Sequence, residues 1–184
     1  MSTPTLRRAE RAMTDAALRD MVERSFSGRL ATVGEDGYPY CIPLLYVWMD
    51  GCLYVHGTSA RGHFRRNVDH DARVCFELDE PGEVFDYGSF DCDSGLSFRS
   101  AVLFGRLTVV DDDATKQRFC EALLRKYRAN GVQREHPNFF PRLDLITVYR
   151  LDVERMTGKE QALPSVAEQW PALDRTKTPG AKPR

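Results

Sequence analysis

The sequence has no Cys-x-x-Cys pair and no regular cysteine spacing. Its five cysteines lie at positions 41, 52, 75, 92 and 120, an odd number at irregular intervals. This pattern argues against a disulfide framework, a zinc site and a thioredoxin-type dithiol. We therefore expect no metal, and five free thiols that are buried in a protein of a reducing compartment.

The sequence also lacks an excess of charge of either sign, because 26 basic residues face 27 acidic ones and the net charge is −1. A protein that binds the phosphates of nucleic acid normally carries a basic excess. No apolar run approaches the ~20 residues of a membrane helix, and residues 1–11 lack the apolar stretch of a signal peptide. We expect a soluble, cytoplasmic protein with neither a nucleic-acid nor a membrane partner.

Hydrophobic residues make up 42% of the 184 residues, which is enough for one folded domain with appendages. Residues 1–13 are charged and aperiodic, and they predict a flexible N-terminal arm. Residues 161–184 are rich in proline and predict an extended, flexible tail. The folded domain is expected to span residues 14–160.

Three segments have helical periodicity. Thr14 is a candidate N-cap for a helix that ends near Gly28. A short helix is predicted over residues 59–69, and a third is predicted from Asp111 to about Arg128. The apolar face of the third helix consists of Phe119, Leu123, Leu124 and Tyr127.

About six strands accompany these helices. Asp50 and Gly51 form a hairpin signal, and Pro39 and Pro43 place the preceding strand at an edge or a bulge. A loop is predicted over residues 81–95. The strands are predicted over residues 30–33, 38–49, 52–56, 72–78, 98–110 and 145–153. Because the helices are too irregularly spaced for repeated βαβ units, the pattern favours an antiparallel sheet or a small barrel.

The sequence contains a histidine spacing that suggests a metal site and a glycine spacing that suggests a P-loop. Neither pattern is complete. His56, His63 and His70 recur every seven residues, but on a helix the last two would be about 10 Å apart along the axis, too far to share a metal ion. Residues 57–64 have the two glycines of a P-loop, yet His63 replaces its lysine and Phe64 its Ser or Thr. Hydrolysis of nucleoside triphosphates is therefore excluded, and no Gly-x-Ser-x-Gly motif supports a serine hydrolase.

The same segment has a basic helix start. Thr58 and Ser59 supply hydroxyl groups where the backbone N–H groups of a helix are free. Arg61 falls in the first predicted turn, followed by Arg65 and Arg66, and cations at this end oppose the helix dipole. Two interpretations remain open: a bound phosphate relieves the conflict, or the arginines form a solvated basic face.

A series of segments along the chain carries a family resemblance. The segments are residues 28–33, 36–40, 43–46, 53–57, 67–77, 92–93, 98–102 with Gly105, and 157–159. Taken in this order, over about residues 14–159, the sequence resembles the pyridoxamine 5′-phosphate oxidase-like FMN-binding split-barrel family. Within it, the sequence is most similar to the Nim-type proteins, which are named for nitroimidazole resistance.

The resemblance implies a mainly β fold, a six-stranded antiparallel split barrel of Greek-key topology with flanking helices. It also implies a homodimer that binds FMN in two clefts at the interface. Arg29, Ser59 and Arg61 match the phosphate-binding residues of the family, and Arg61 replaces the lysine of many relatives. The residues that match the segments lining the flavin ring and the ribityl chain are Leu30, Thr32, Leu44, His56 and Gly57. Arg99 and Ser100 match residues that reach the cofactor from the partner subunit.

The implied function is that of an FMN-dependent oxidoreductase, which moves hydride or electrons from a reduced nicotinamide to a small acceptor, with nitroaromatic compounds as one candidate. Its catalytic residues are not identified, although His56 is a titratable group on the ring-facing segment. The residues that bind pyridoxal phosphate in the true oxidases are not recognisable here. The alternative is a non-catalytic protein that stores, senses or sequesters its ligand. Some members of the superfamily bind haem or a deazaflavin in place of FMN.

Overall fold

The computed structural model of the 184-residue chain describes residues 6–128 and 134–176. Within these ranges the chain forms three α-helices, which are α1 (Asp15–Arg24), α2 (His63–His70) and α3 (Asp113–Tyr127). It also forms seven strands, which are β1 (Gly28–Val33), β2 (Pro39–Leu44), β3 (Val47–Met49), β4 (Cys52–Thr58), β5 (Arg73–Asp86), β6 (Ser94–Val110) and β7 (Ile146–Gln161). Short 3₁₀ turns lie at Ala9–Arg11, Leu143–Leu145 and Val166–Glu168.

The strands of the described ranges form one sheet in the order β2-β1-β5-β6-β7-β4-β3. The pairs β1–β2, β1–β5, β3–β4 and β4–β7 are antiparallel. The pairs β1–β5 and β4–β7 join strands that are distant in sequence. The fold is therefore the predicted mainly β, antiparallel split-barrel class, with seven strands in place of six.

The seventh strand arises because the predicted strand over residues 38–49 divides at Leu45 and Tyr46. Its two halves, β2 and β3, lie at opposite edges of the sheet. Pro39 and Pro43 both lie on β2, where one side of the strand needs no ladder hydrogen bonds. The prediction of an edge strand is thus confirmed.

Local sequence signals correctly predicted one hairpin turn and the start of one helix. Asp50 and Gly51 join β3 to β4 with φ angles of 54° and 76°, the left-handed conformation that a two-residue hairpin requires. The backbone N–H of Ala17 donates to Oγ1 of Thr14 at 3.2 Å, which confirms the N-cap of α1. This helix ends at Arg24, four residues before the predicted end, because Gly28 already begins β1.

The loop predicted over residues 81–95 is confirmed only for residues 87–93, and both of its ends are strand. Strand β5 continues to Asp86 and β6 begins at Ser94. The backbone N–H of Glu83 donates to Oγ of Ser97 at 2.7 Å, and a Cβ on Gly82 would lie only 2.3 Å from the same atom. Ladder pairing with β6 therefore overrides the turn preference of the Pro81-Gly82 pair.

The chain divides into two compact units. Of the described residues, the first unit contains 6–18, 79–101 and 157–176, and the second contains 19–78, 102–128 and 134–156. Strands β5, β6 and β7 each contribute residues to both. The predicted division into arm, domain and tail stays a prediction, and its residues 1–5 and 177–184 lie outside the described residues.

The core of the second unit includes a cluster of buried residues from four elements and the end of β6. Phe119 of α3 is fully buried in it, and the other members are Val47, Tyr54, Val110 and Val148. Helix α3 begins where predicted, because the side chain of Asp112 accepts a hydrogen bond from the backbone N–H of Thr115 at 2.7 Å. Of its predicted apolar face, Leu124 is exposed.

In the first unit, the residues just before α1 pack on the end of β7. Ala12 forms a β-bridge with Lys159, and the backbone N–H of Met13 donates to the carbonyl of Gly158 at 3.1 Å. A Cβ on Gly158 would lie 2.7 Å from Sδ of Met13, so a larger residue there would displace the methionine side chain.

All five cysteines are free. Cys41 and Cys92 are exposed, and Cys52, Cys75 and Cys120 are half-buried. The prediction of buried thiols was therefore wrong. Cys75 on β5 lies between the buried Val74 and Phe76, because successive strand residues point to opposite faces, and Cys52 is the first residue of β4.

Two further properties concern the described ranges only. No helix in them combines the length and the apolarity that crossing a bilayer demands. No three side chains of His, Cys, Asp or Glu converge there in a way that would hold a metal ion.

Candidate functional site

The corner between β4 and α2 contains two of the three residues that the sequence analysis assigned to phosphate binding, Ser59 and Arg61. The last three residues of β4 pair with β7 in the register His56–Val148, Gly57–Thr147 and Thr58–Ile146. Ser59 follows, and its backbone N–H donates to the carbonyl of Leu145 at 3.1 Å. Residues 59–62 then form an exposed turn that leads directly into α2. We call this region, residues 57–66, the β4–α2 corner.

Helix α2 begins at His63, later than predicted, with Gly62 as its N-cap. The start differs because pairing with β7 keeps the chain extended through Thr58. Arg61 therefore lies before the helix, and the prediction that it opposes the helix dipole in the first turn was wrong. Arg65 and Arg66 are the cations near this end.

The N-terminus of α2 is open to an anion. No side chain caps it, and its first turn contains no acidic residue. The N–H groups of a helix's first turn have no partner within the helix and carry partial positive charge. These N–H groups, the hydroxyl group of the exposed Ser59 and the guanidinium of the exposed Arg61 are the groups of this corner that could hold a phosphate.

Arg61 and Arg65 share one carboxylate. Arg61 is ion-paired with Asp69, and Nε of Arg65 lies 2.8 Å from Oδ1 of the same residue. The hydrogen bond from Arg65 and, after it, the charge of Arg61 hold the pKa of Asp69 below its usual value. Asp69 therefore stays ionised and offers Arg61 an internal partner in the place of an external anion.

Arg29 lies on β1, in register with Glu77 of β5 and Pro43 of β2. Its Nη1 lies 2.8 Å from Oε2 of Glu77, and half of its side chain is exposed. Like Arg61, it combines a carboxylate partner with an accessible guanidinium.

Leu30 and Thr32 alternate with Arg29 and point into the protein. Leu30 is 0% exposed and Thr32 is 1% exposed, so in this conformation a ligand would meet their backbone rather than their side chains. The hydroxyl group of Thr32 accepts a hydrogen bond from Nδ2 of Asn67 at 3.1 Å and lies 3.3 Å from the carbonyl oxygen of Tyr40. Through Asn67, Thr32 ties α2 to β1 and thereby fixes the β4–α2 corner.

The predicted ring-facing residues of the second unit differ in exposure. Leu44 is half-buried at the end of β2. A Cβ on Gly57 would meet only Cε2 of Tyr149, at 4.0 Å, so the space beside the end of β4 is open. The imidazole of His56 lies 5.5 Å from the ring of Phe119, centroid to centroid.

Burial also determines the charge of His56. It lowers the pKa of the imidazole, so the ring is neutral at pH 7. Nδ1 is buried, with no hydrogen-bond partner among the described residues.

Arg99 and Ser100 belong to the first unit, whereas the other eight predicted site residues belong to the second. Nη2 of Arg99 donates to the carbonyl of Ala17 at 3.1 Å, and the guanidinium also lies 3.5 Å from Glu80 and 3.8 Å from Glu160. Ser100 is half-buried. Within one chain, Arg99 is thus a well-anchored side chain beside a cavity of about 340 Å³.

The sequence analysis missed two residues of this region. Asp69 was detectable, since it lies four residues after Arg65 on a predicted helix, the spacing at which ion pairs form. Asn67 was not, because its bond to Thr32 joins two elements that are 35 residues apart.

Comparison with known proteins now gives the family. The sequence profile of the pyridoxamine 5′-phosphate oxidases matches residues 14–160, and the chain therefore belongs to the pyridoxamine 5′-phosphate oxidase family. A comparison with curated proteins gave no match.

Three similar solved structures illustrate the fold. A candidate 5-nitroimidazole antibiotic resistance protein from Bacteroides thetaiotaomicron has a TM-score of 0.67 at 18% identity, over 80% of this chain and 85% of that one. The flavocytochrome Anf3 from Azotobacter vinelandii has a TM-score of 0.69 at 18% identity, over 87% of this chain and 73% of that one. The FAD and haem binding protein from Mycobacterium smegmatis has a TM-score of 0.64 at 22% identity, over 82% and 73%. At these identities the likeness shows a shared fold alone.

Proposed function

We propose that the protein is an FMN-dependent oxidoreductase that moves hydride or electrons from a reduced nicotinamide to a small acceptor, with nitroaromatic compounds as the candidate class. The observation that carries the proposal is the β4–α2 corner. There, the exposed Ser59 and Arg61 immediately precede the uncapped start of α2, so three groups that can bind a phosphate lie within five consecutive residues, 59–63. A flavin is the ligand of choice because a flavocytochrome and an FAD and haem binding protein share the fold.

The residues at the corner fit the phosphate group of FMN. Ser59 would donate its hydroxyl hydrogen, Arg61 its forked guanidinium, and α2 its first-turn N–H groups. Arg29 would add a second guanidinium from β1, the strand to which Asn67 ties α2. When bound, FMN supplies the redox chemistry, and the protein supplies orientation and charge.

The other predicted residues suit the flavin ring. Gly57 leaves space at the end of β4, and Leu44 offers an aliphatic surface. His56 contributes a neutral imidazole, because burial lowers its pKa. A flat, weakly polar ligand would meet little unpaired charge on these side chains.

We further propose that the protein is a homodimer and that Arg99 and Ser100 complete the cleft of the partner subunit. On β6, Val102 and Phe104 are half-buried, and the guanidinium of Arg155 lies 4.4 Å from the ring centre of Phe104. Nε of Arg155 is buried, with no hydrogen-bond partner in the described ranges. A second copy would cover the remaining apolar surface of this pair.

The experiment that tests the function is spectroscopic. The purified protein should show flavin absorption, the flavin should bleach with NADH or NADPH under anaerobic conditions, and a nitroaromatic acceptor should restore it. Arg61→Ala should lose bound flavin, whereas the matched control Arg19→Ala, an exposed arginine on α1, should retain it.

Three results would contradict the proposal. A haem Soret band without flavin would favour a haem protein. A protein that binds neither cofactor would remove the basis of the assignment. Bound flavin that neither donor can reduce would favour the non-catalytic alternative of storage or sensing.

A further inference from the structure

A cavity of about 500 Å³ lies within the first unit. Its lining includes three arginines, Arg8, Arg11 and Arg175, and three aromatic residues, Phe85, Tyr87 and Phe98. None of the ten predicted flavin-site residues lines it. We call it the arginine cavity.

The arginine cavity carries a strong positive charge, although the chain as a whole has a net charge of −1. In the described part of the chain, no Asp or Glu lines it. Arg8 has a single carboxylate neighbour, Glu10, at 3.7 Å, and this carboxylate is largely exposed. The guanidinium of Arg175 donates to the carbonyl of Glu168, and the Glu168 carboxylate, whose pKa is lowered chiefly by a hydrogen bond from Ser165, also interacts with the charge of Arg175.

Arg11 is the least compensated of the three. Its side chain makes no hydrogen bond or ion pair with any residue of the described ranges, although it is half-buried beside the cavity. A positively charged cleft attracts anions. Three guanidinium groups favour a phosphate in particular, because each presents a planar fork of donors to its oxygens.

The aromatic residues form the apolar wall of the cavity. Phe85 is 6% exposed, and its ring is fixed against β6, since a Cβ on Gly95 would lie 2.7 Å from its Cζ. Tyr87 and Phe98 are half-buried beside it. An apolar, aromatic lining with a few convergent polar groups is typical of small-molecule sites, as is a volume of several hundred Å³.

The tail holds Arg175 in place next to Tyr87. The backbone N–H of Trp170 donates to the carbonyl of Asp86 at 3.0 Å, and that of Arg175 donates to the carbonyl of Tyr87 at 2.5 Å. Ser165 and Glu168 form a capping box within the tail. The third guanidinium is therefore positioned by backbone hydrogen bonds.

We propose that the arginine cavity binds an aromatic phosphate: a mononucleotide, or the nucleotide half of a dinucleotide. The phosphate oxygens of this ligand accept hydrogen bonds from the guanidinium groups of Arg8, Arg11 and Arg175. Its aromatic ring packs on Tyr87 and Phe98, since a base can stack on any exposed aromatic face. This site is independent of the proposed flavin site, so either can exist without the other.

Calorimetric titration of the full chain, saturated with FMN, tests this proposal with AMP and adenosine as probes. We expect AMP to bind at least about tenfold more tightly than adenosine, which lacks the phosphate. Arg11→Ala should weaken AMP binding by about 10- to 150-fold, the value of one charge-assisted hydrogen bond. Arg11→Lys should restore part of the loss, because it keeps the charge and loses the fork.

The matched control is Arg7→Ala, an exposed arginine four residues away that does not line the cavity. It should leave AMP binding unchanged. Phe98→Leu should weaken AMP binding more than inorganic phosphate binding, because only AMP has a ring to stack. Tighter binding of NADH than of AMP would identify a dinucleotide as the source, and equal binding would identify a mononucleotide.

The proposal is overturned if AMP does not bind, if AMP and adenosine bind equally, or if Arg7→Ala and Arg11→Ala lose the same affinity. Thermal melts of each variant verify that the fold is intact. Because FMN binding is measured separately, failure of this site leaves the proposed flavin site standing, and the reverse also holds.

Discussion

Arg61 and Asp69 form an ion pair between the turn before α2 and the last turn of that helix. Asp69 also accepts a hydrogen bond from Arg65, so one carboxylate in the last turn of the helix holds two guanidinium groups. A phosphate at the β4–α2 corner would compete with this carboxylate for Arg61. The ion pair therefore compensates the charge of Arg61 in the free protein. It also lowers the affinity for an anion, because the pair must break before Arg61 can bind a phosphate.

Asp69→Asn tests this competition. We expect the change to tighten FMN binding about 1.5- to 5-fold, the equivalent of the 0.2–1 kcal/mol of an exposed ion pair. Riboflavin, which has no phosphate, should bind as before. Asp71→Asn is the matched control, since Asp71 pairs with Arg73 instead. Weaker FMN binding by Asp69→Asn would show that the carboxylate orients Arg61 and does not compete.

The stability of the protein should fall as the pH drops through the range in which histidine titrates. Burial lowers the pKa of His56, so below its ordinary value of about 6.5 the unfolded chain binds a proton that the folded chain does not. His56→Gln should therefore reduce the loss of stability between about pH 7 and 5. Urea unfolding across this range measures the effect, with His70→Gln as a control for an exposed histidine. Equal pH dependence in wild type and His56→Gln would contradict the burial of a neutral imidazole.

Local signals predicted those parts of the fold that depend on a few adjacent residues. Thr14 and the Asp50-Gly51 hairpin are of this kind, because a helix cap and a two-residue turn are decided by their own side chains and backbone angles. Pro39 and Pro43 likewise placed their strand at an edge, since proline has no N–H to donate to a neighbouring strand.

The missed parts depend on partners that are distant in sequence. Gly82 reads as a turn residue, but its strand is held by Ser97. The start of α2 moved to His63 because β4 pairs with β7 as far as Thr58. The resemblance supplied Arg29, Ser59 and the other candidate site residues, whereas their surroundings came from tertiary contacts that no local pattern encodes.

Lys126 should cause stability to rise at alkaline pH. Its Nζ lies 3.8 Å from the ring centre of Tyr46, and burial lowers its pKa to about 8. Between about pH 8 and the ordinary lysine value of about 10.4, the unfolded chain therefore binds more protons than the folded chain, and raising the pH favours folding. Lys126→Met should abolish this rise, at the cost of a cation–π contact worth about 0.5–1 kcal/mol. Chemical denaturation between these pH values measures the free energy of unfolding. A rise of the same size in Lys126→Met would show that Lys126 is not its cause.

The proposed dimer predicts a two-fold symmetric particle in solution. Size-exclusion chromatography with light scattering should give twice the mass of the chain. Phe104→Asp should yield monomers with weakened FMN binding, because it places a charge on the proposed interface. Val84→Asp, at an exposed apolar residue of β5, is the control and should remain dimeric. A wild-type monomer that binds FMN with full affinity would contradict the shared cleft.

The most direct test of the account compares FMN with riboflavin in Arg61→Ala. The account predicts that the change weakens FMN binding about 10- to 150-fold, the value of a charge-assisted hydrogen bond of 1.5–3 kcal/mol, and leaves riboflavin binding within about twofold. Arg19→Ala should alter neither affinity. Fluorescence titration of the apo-forms of wild type, Arg61→Ala and Arg19→Ala with each ligand measures all six dissociation constants. Equal losses for FMN and riboflavin in Arg61→Ala, or no loss for either, would contradict a phosphate site at the β4–α2 corner.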